Sequence, residues 1–189
     1  MEAITLNPEY WNQEYQNQYA GKLERETIRY SSLASLIKRW SCGSSVLDLG
    51  CGVGTMRKYL SPTIRYIGVD TSEVALSQAR HLSGGLFVCD AIELYSPHEL
   101  FDVILFNECL YYLKDPLAII HRYSRFLKDN GILLASVYKP NPSHRSYGLL
   151  RSLTKELQKM SECVHSQIIV SPENMRWTLI VFKNFTEID

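Results

Sequence analysis

Hydrophobic and polar residues follow two different patterns along this chain. In the first forty residues, apolar side chains recur every three or four positions, which predicts helices over residues 7–20 and 22–40 with a break near Gly21. Beyond this region, short β-branched or aromatic runs alternate with helical segments. The predicted strands are 45–50, 65–70, 86–90, 101–107 and 131–138, and the predicted helices are 53–60, 72–82 and 115–128.

The last part of the chain departs from this alternation. A predicted helix over 147–163 is followed by strands over 164–171 and 176–183, which the turn-forming "PEN" brings close enough to pair as a hairpin. Alternating strands and helices favour a parallel sheet that is covered on both faces. The predicted fold class is therefore α/β: a Rossmann-like doubly wound sheet, mostly parallel, that ends in an antiparallel C-terminal hairpin strand.

No repeat, low-complexity tract or linker interrupts the pattern. We therefore expect a single domain over 1–189, with a helical N-terminal cover (1–43) and an α/β core (44–189). The 20 basic and 20 acidic side chains balance, so nucleic acid is an unlikely partner. The sequence leaves the oligomeric state open.

Cysteines and apolar runs bear on the compartment. Five cysteines without a CxxC pair do not suit a disulfide framework, and the first twenty residues lack the features of a signal peptide. No apolar run is long enough for a membrane span, so we expect a cytoplasmic protein without a membrane partner. The histidines are too far apart in sequence to suggest a metal site, which predicts metal independence; they are His81, His98, His121, His144 and His165.

The stretch "VLDLGCGVGT" (46–55) carries the first chemical signal. Gly50, Gly52 and Gly54 follow a predicted strand and precede a predicted helix, an arrangement that presents backbone N–H groups and a helix N-terminus to a ligand. Asp70 and Asp90 end the next two predicted strands. Because ligands bind at the carboxyl edge of such sheets, the acids are expected to lie near one another.

Two classes of cofactor compete for this arrangement. The dinucleotide fingerprint G-x-G-x-x-G fails at Thr55, where its third glycine belongs. Asp48 would repel a pyrophosphate but could pair with an ammonium group. A ligand with a cationic amine, a ribose and an adenine fits all three acids. The simpler interpretations are a tight turn, a core-edge acid at Asp48 and a helix N-cap at Asp70.

"VLDLGCGVGT" resembles motif I of the class I S-adenosylmethionine-dependent methyltransferases. "YIGVDTSEVALSQAR", "FVCDAIEL", "FDVILFNECLYYL" and "LKDNGILLASVY" are similar to the segments that follow in that family, so the resemblance covers about residues 44–140. It implies S-adenosylmethionine as cofactor and S-adenosylhomocysteine as product. The cofactor-binding positions that it implies are Asp48, Gly50, Cys51, Gly52, Gly54, Asp70, Thr71, Asp90, Ala91 and Asn107.

The same resemblance places the acceptor beyond the fourth strand, at "NECLYYL". This segment lacks the Pro-Pro-aromatic pattern of enzymes that methylate nucleobase and amide nitrogens, and it is similar to the equivalent loop of nodulation-type amino-sugar N-methyltransferases. Glu108 is the first candidate general base, Tyr111 lies beside it, and His144 is the second candidate base. Cys109 lacks the Pro-Cys context of a methyltransferase nucleophile and is more typical of a small buried hydrophobe.

The aromatic residues of the first predicted helix are expected either to stack on a small organic ligand or to pack that helix on the core; they are Tyr10, Trp11, Tyr15 and Tyr19. The resulting hypothesis is a methyltransferase that modifies oxygen or nitrogen of a small-molecule acceptor. Three alternatives stay open: a tRNA or protein methyltransferase, a catalytically silent cofactor-binding module, and an NAD-dependent oxidoreductase.

Overall fold

A computed structural model describes residues 7–17, 26–41, 43–82 and 84–185 of the chain. The α-helices are α1 (Pro8–Asn17), α2 (Thr27–Trp40), α3 (Glu73–Leu82), α4 (Pro116–Ser124) and α5 (Tyr147–Lys159). The strands are β1 (Ser45–Leu49), β2 (Arg65–Asp70), β3 (Leu86–Cys89), β4 (Phe101–Asn107), β5 (Leu127–Tyr138), β6 (Cys163–Val170) and β7 (Arg176–Phe182). Thr55–Tyr59 and Leu110–Tyr112 form short 3₁₀ helices. Gly21, the predicted helix break, lies outside the described residues.

All seven of these strands form one sheet in the order β3-β2-β1-β4-β5-β7-β6. Strands β1 to β5 pair in parallel, and β7 is antiparallel to both β5 and β6. The predicted fold class, including the antiparallel hairpin, is confirmed. The structure adds that β7 lies inside the sheet, so that β6 forms the edge. Strand order reverses between β1 and β4, which is where ligands bind in doubly wound sheets.

Helices cover both faces of the sheet. Successive residues of a strand point to opposite faces, so Val46 packs on one side with α2 and α3, through residues such as Leu33 and Leu76. Leu47 packs on the other side with α4 and α5. Strand β1 is buried along its whole length, as expected for the centre of a parallel sheet. The carboxyl end of this strand therefore emerges from a rigid, fully packed core.

The predicted helix over 53–60 is replaced by the five-residue 3₁₀ helix Thr55–Tyr59. Gly54 before it has a left-handed conformation (φ 69°), and Pro62 after it disfavours helical geometry in the preceding residue. Too few residues lie between these two positions to propagate an α-helix.

Two other predicted helices are shorter than expected. The helix predicted over 115–128 ends at Ser124, because Leu127 already pairs with Phe101 and begins β5. The helix predicted over 147–163 ends at Lys159, and Cys163 pairs with Phe182 in β6. In both places pairing with a neighbouring strand supplies the backbone hydrogen bonds, so tertiary context overrides local helix preference.

The longest described helix, α2, has 14 residues. None of the helices in the described ranges combines the length and the apolar character that crossing a bilayer requires. The expected division into a helical cover and an α/β core of one domain stays a prediction.

Candidate active site

The glycine loop turns sharply as it leaves β1. Gly50, Gly52 and Gly54 have φ angles of 73°, 54° and 69°, a region that glycine enters without steric cost. A Cβ atom on Gly52 would lie only 2.5 Å from the hydroxyl of Tyr15 in α1. The loop is pinned to β2, since the N–H groups of Gly50 and Cys51 both donate to the carbonyl of Val69. The backbone of the loop is therefore tightly held beneath α1.

Asp48 lies in β1 just before this loop and is 1% exposed. Its Oδ2 accepts a 2.5 Å hydrogen bond from the Tyr66 hydroxyl, whereas its Oδ1 is buried and has no partner among the described residues. Burial raises the pKa of the Asp48 carboxyl from 3.8 to about 7, and the hydrogen bond from Tyr66 counteracts this. A buried carboxylate oxygen without a donor is unfavourable, so Oδ1 is poised to accept a hydrogen bond from a ligand.

Asp70 joins the glycine loop to the start of α3. Its Oδ2 accepts from the N–H of Gly52 at 2.8 Å, and its Oδ1 accepts from the N–H of Ser72 at 2.9 Å. Burial raises the pKa of the Asp70 carboxyl, and these backbone hydrogen bonds lower it. The side chain that caps α3 is Ser72, whose Oγ accepts from the N–H of Ala75. A carboxylate has about four acceptor sites, so Asp70 retains capacity for ligand hydroxyls.

The ends of β2 and β3 lie side by side next to Asp70. The N–H of Asp90 donates to the Asp70 carbonyl at 3.1 Å, and Asp90 Oδ1 accepts from the N–H of Ala91. Thr71 has a buried hydroxyl that no other described residue hydrogen-bonds. Cys51 is buried, and burial raises the pKa of its thiol. The structure thus brings the predicted cofactor residues of three strand ends to one edge of the sheet.

A second group of side chains surrounds Glu108, the residue that follows β4. Glu108 has a φ of 62°, which is unusual for a residue with a side chain. Its Oε2 accepts from the Tyr111 hydroxyl at 3.1 Å. The Ser136 hydroxyl lies 3.0 Å from Glu108 Oε1 and 2.8 Å from Asn107 Oδ1. Burial raises the pKa of the Glu108 carboxyl. Asn107, Glu108 and Tyr111 therefore lie in one group of hydrogen-bonded side chains.

Arg29 in α2 is part of this group although the sequence analysis did not single it out. It is 4% exposed, and its Nη1 lies 3.7 Å from Glu108 Oε2. Its Nη2 pairs with Glu26 at 2.7 Å and donates to the Tyr30 hydroxyl. The signal that could have revealed Arg29 is its spacing, because it lies on the same helical face as the buried Leu33.

Aromatic rings of α1 connect the two groups. The ring centroids of Trp11 and Tyr112 lie 4.9 Å apart, and those of Tyr112 and Tyr111 lie 4.5 Å apart. Tyr10 contacts Trp11 at 5.4 Å. We refer to these four rings as the aromatic wall. Tyr15 instead packs on Val53 and Ala75, beside the glycine loop, and Tyr19 lies outside the described residues.

The remaining candidates have simpler surroundings. His144 is exposed in the turn after β5, where its Nδ1 accepts from the N–H of Ser146 and its ring contacts Tyr138. Cys109 is buried, its thiol donates to the carbonyl of Leu49, and burial raises its pKa well above the ordinary range. It is therefore a thiol rather than a nucleophilic thiolate. Among the described residues, no group of three or more His, Cys, Asp or Glu side chains is arranged to hold a metal ion.

Comparisons with known proteins agree with this geometry. The family model described as "Methyltransferase domain" matches residues 15–179. Malonyl-[acyl-carrier protein] O-methyltransferase of Bacillus anthracis is 32% identical over 130 residues, which cover 65% of this chain and 48% of that protein. The chain spans about half the length of the curated relatives that it matches.

Two solved structures share the fold over nearly the whole chain. N-methyltransferase NodS from Bradyrhizobium japonicum WM9, in complex with S-adenosylhomocysteine, is 20% identical with a TM-score of 0.72, and the match covers 97% of this chain and 99% of that one. The plantazolicin methyltransferase BpumL, also in complex with S-adenosylhomocysteine, is 18% identical with a TM-score of 0.66, covering 94% and 90%. Since the family model covers most of the sequence, this chain belongs to the S-adenosylmethionine-dependent methyltransferases, the family that its glycine loop resembles.

Proposed function

We propose that this protein transfers the methyl group of S-adenosylmethionine to oxygen or nitrogen of a small-molecule acceptor. The observation that carries the cofactor assignment is the buried Oδ1 of Asp48, which lies just before the glycine loop and finds no hydrogen-bond partner in the described part of the chain. An ammonium group, such as that of the methionine part of the cofactor, is the donor that such a carboxylate oxygen favours most. When bound, the cofactor supplies an activated methyl group on a sulfonium.

The other residues of the sheet edge suit the remaining parts of the cofactor. We assign the loop from Gly50 to Gly54, which includes Cys51, to the methionine part. We assign Asp70 and the buried Thr71 hydroxyl to the ribose, and Asp90 and Ala91 to the adenine; the hydrogen bonds of Asp70 to the glycine loop and of Asp90 to Ala91 support this assignment. Asn107 ends β4 between this region and Glu108.

The acceptor side requires orientation, exclusion of water and, where the acceptor carries a proton, a base. Glu108 supports the role of base because burial raises its pKa and two hydroxyl groups fix its carboxylate. Tyr111 holds that carboxylate from one side, and α1 covers the region with the aromatic wall. His144 is the second candidate base, and its exposed turn makes it the weaker one.

The net charge of the chain bears on the size of the acceptor. The basic and acidic side chains of the chain balance, whereas binding the phosphates of tRNA favours an excess of positive charge. The balance therefore argues for a small acceptor. The names of the proteins that it resembles include both an O-methyltransferase and an N-methyltransferase, which leaves both acceptor atoms in the proposal. Metal independence and cytoplasmic location stay predictions.

Thermal unfolding tests the cofactor assignment. S-adenosylhomocysteine at 100 times its dissociation constant adds about 2.7 kcal/mol to the free energy of unfolding. For a chain of this size, that corresponds to a rise in melting temperature of about 5–11 °C. Asp48→Asn should reduce the rise, since an amide cannot balance an ammonium charge. A rise with NAD and none with S-adenosylhomocysteine would overturn the assignment.

Transfer of a radiolabelled methyl group tests the reaction. Labelled S-adenosylmethionine is incubated with the protein and a cell extract that is then separated into small molecules, RNA and protein. Label in the small-molecule fraction supports the proposal, and label confined to RNA or protein contradicts its acceptor class. Absence of any label, despite binding of S-adenosylhomocysteine, favours a catalytically silent module.

A further inference from the structure

We propose that the acceptor is an amine, which enters as its ammonium ion and is selected by the buried cluster of Glu26, Arg29 and Glu108. This inference rests on the proposed function, since it names the substrate class of the same site.

The cluster contains two carboxylates and one guanidinium. Arg29 pairs with Glu26 at 2.7 Å and lies 3.7 Å from Glu108. The side chains of both glutamates are only 15% exposed, and that of Arg29 is 5% exposed. When both carboxylates are ionised, the cluster carries one negative charge that is not balanced within it. Because an uncompensated charge is costly in a buried environment, a cation that enters beside Glu108 is favoured.

Arg29 itself is not available to bind an anionic acceptor. Its Nη2 is occupied by Glu26 and the Tyr30 hydroxyl, and its Nη1 faces Glu108. Its Nε is buried away from the surface, and no described residue accepts a hydrogen bond from it. The guanidinium carbon Cζ also lies over the rings of Tyr30 and Trp177, at 4.8 and 5.5 Å from their centroids. A carboxylate acceptor would thus meet no open fork of N–H donors and would face two like charges.

The aromatic wall adds a second, independent feature that favours a cation. Its ring contacts run from Tyr10 and Trp11 through Tyr112 to Tyr111, whose hydroxyl donates to Glu108. Ring faces attract ammonium groups, and the attraction is stronger where water is excluded. A carboxylate at the end of an aromatic surface is an arrangement that suits an ammonium ion attached to an organic group.

Glu108 also completes the proton balance. The ammonium ion gives one proton to Glu108, which frees the nitrogen lone pair. That lone pair forms the new bond to the methyl carbon while the carbon–sulfur bond of the donor breaks, and the bonding electrons go to sulfur. The product is a methylated ammonium ion with a neutral thioether, and Glu108 returns its proton to solvent when the product leaves. No further reagent is required.

Three matched probes test this selection in the wild-type protein saturated with S-adenosylhomocysteine. Benzylamine, benzyl alcohol and benzoate share one ring and differ in charge at the position that would face Glu108. Calorimetric titration should show that benzylamine binds at least about tenfold more tightly than benzoate, with benzyl alcohol between them. Equal affinities, or tighter binding of benzoate, would overturn the amine assignment.

Two variants test whether Glu108 and Glu26 cause the preference for benzylamine. Glu108→Gln keeps the shape of the side chain and removes its charge, so the preference for benzylamine should disappear. Glu26→Gln removes the other negative charge of the cluster and should reduce the preference, which provides a second readout if the first variant does not fold. Glu156→Gln, an exposed position of α5, is the matched control and should retain the full preference. A preference that persists in both cluster variants would place the selection elsewhere and refute the proposal.

The labelled product gives a chemical readout. An N-methyl group withstands alkali and its product binds a cation exchanger, whereas a methyl ester releases its label as volatile methanol. Label that is released by alkali would overturn the amine assignment while leaving the methyltransferase function intact. Failure of S-adenosylhomocysteine to bind the wild-type protein would instead overturn the proposed function itself, so the two failures are distinguishable.

Discussion

Asp48 is a charged residue type placed inside the most buried strand of the sheet. All five residues of β1 are buried, and among the residues that the structure describes only Tyr66 donates a hydrogen bond to the Asp48 side chain. Burying an ionised carboxylate in such surroundings is costly, so burial raises the pKa of Asp48 to about 7. Below that pH the neutral carboxyl group is favoured. A cationic ligand reverses this balance, because it favours the ionised form.

Binding of S-adenosylhomocysteine should therefore release a proton from Asp48 at pH values below about 7. The affinity should rise with pH up to that value and change little above it. Calorimetric titration in two buffers with different ionisation enthalpies measures the release directly. In Asp48→Asn the release should vanish and the affinity should fall. Equal proton release in the wild type and in this variant would contradict the assignment.

Tyr66→Phe is the control for this prediction. The hydroxyl of Tyr66 lowers the pKa of Asp48, so its removal should raise that pKa and extend the proton release to higher pH. The ring is 2% exposed and stays packed in either form, which keeps the fold intact. An unchanged pH range in Tyr66→Phe would show that the released proton comes from another group.

Helix α1 is the element that depends most on others for its position. It has ten residues, and isolated helices of this length are marginal in water. Asn12 ties it to the start of α3, since its Oδ1 accepts from the Ser72 hydroxyl at 2.7 Å and lies 3.4 Å from the N–H of Val74. Tyr15 places the same helix over Gly52. The position of α1 over the glycine loop thus depends on the polar contacts of Asn12 and on the packing of Tyr15 against Val53 and Ala75.

Asn12→Ala should loosen α1. Loss of a side-chain hydrogen bond to the N-terminal end of a helix, here α3, costs about 1 kcal/mol. This corresponds to a roughly fivefold change in an equilibrium constant. We expect faster amide hydrogen exchange over residues 8–17 and an affinity for S-adenosylhomocysteine reduced by a similar factor. Gln13→Ala, at the exposed neighbouring position, should change neither quantity. Unaltered exchange in Asn12→Ala would show that other contacts hold the helix.

At the scale of the whole molecule, the buried acids make stability depend on pH. The folded pKa of Asp48, about 7, exceeds its ordinary value of 3.8, so the folded chain binds more protons than the unfolded chain between these values. Burial raises the pKa of Asp70 and Glu108 in the same direction. The stabilising contribution of the neutral Asp48 carboxyl is therefore complete below pH 3.8 and is lost as the pH rises through about 7.

Urea unfolding at a series of pH values measures this dependence. The unfolding midpoint of the ligand-free protein should fall as the pH rises from 3.8 to about 7. Saturation with S-adenosylhomocysteine should flatten the dependence, because the bound ammonium stabilises the ionised carboxylate, and Asp48→Asn should flatten it without ligand. A midpoint that rises with pH over this range in the ligand-free protein would contradict the role of the buried acids.

The sequence by itself determined the layers of the fold and predicted which residues come together at the carboxyl edge of the sheet. Strand and helix periodicity depend on residues close together in the chain, and so does the spacing of Asp48, the glycines and Asp70. Two of the errors arose where strands pair: the start of β5 at Leu127 and that of β6 at Cys163 are set by partners distant in sequence. Local preference carries no information about such partners.

Only the tertiary structure decided which groups surround Glu108, the candidate base. Arg29 and Ser136 reach Glu108 from α2 and β5, and Asn12 reaches Ser72 from α1, contacts that no local pattern specifies. The protonation state of Asp48 is likewise decided by the tertiary structure. An aspartate has an ordinary pKa of 3.8 wherever it stands in a sequence, and burial in β1 with a single donor raises that of Asp48 to about 7. Desolvation and long-range packing, which exist only in the folded chain, turn this residue type into a site.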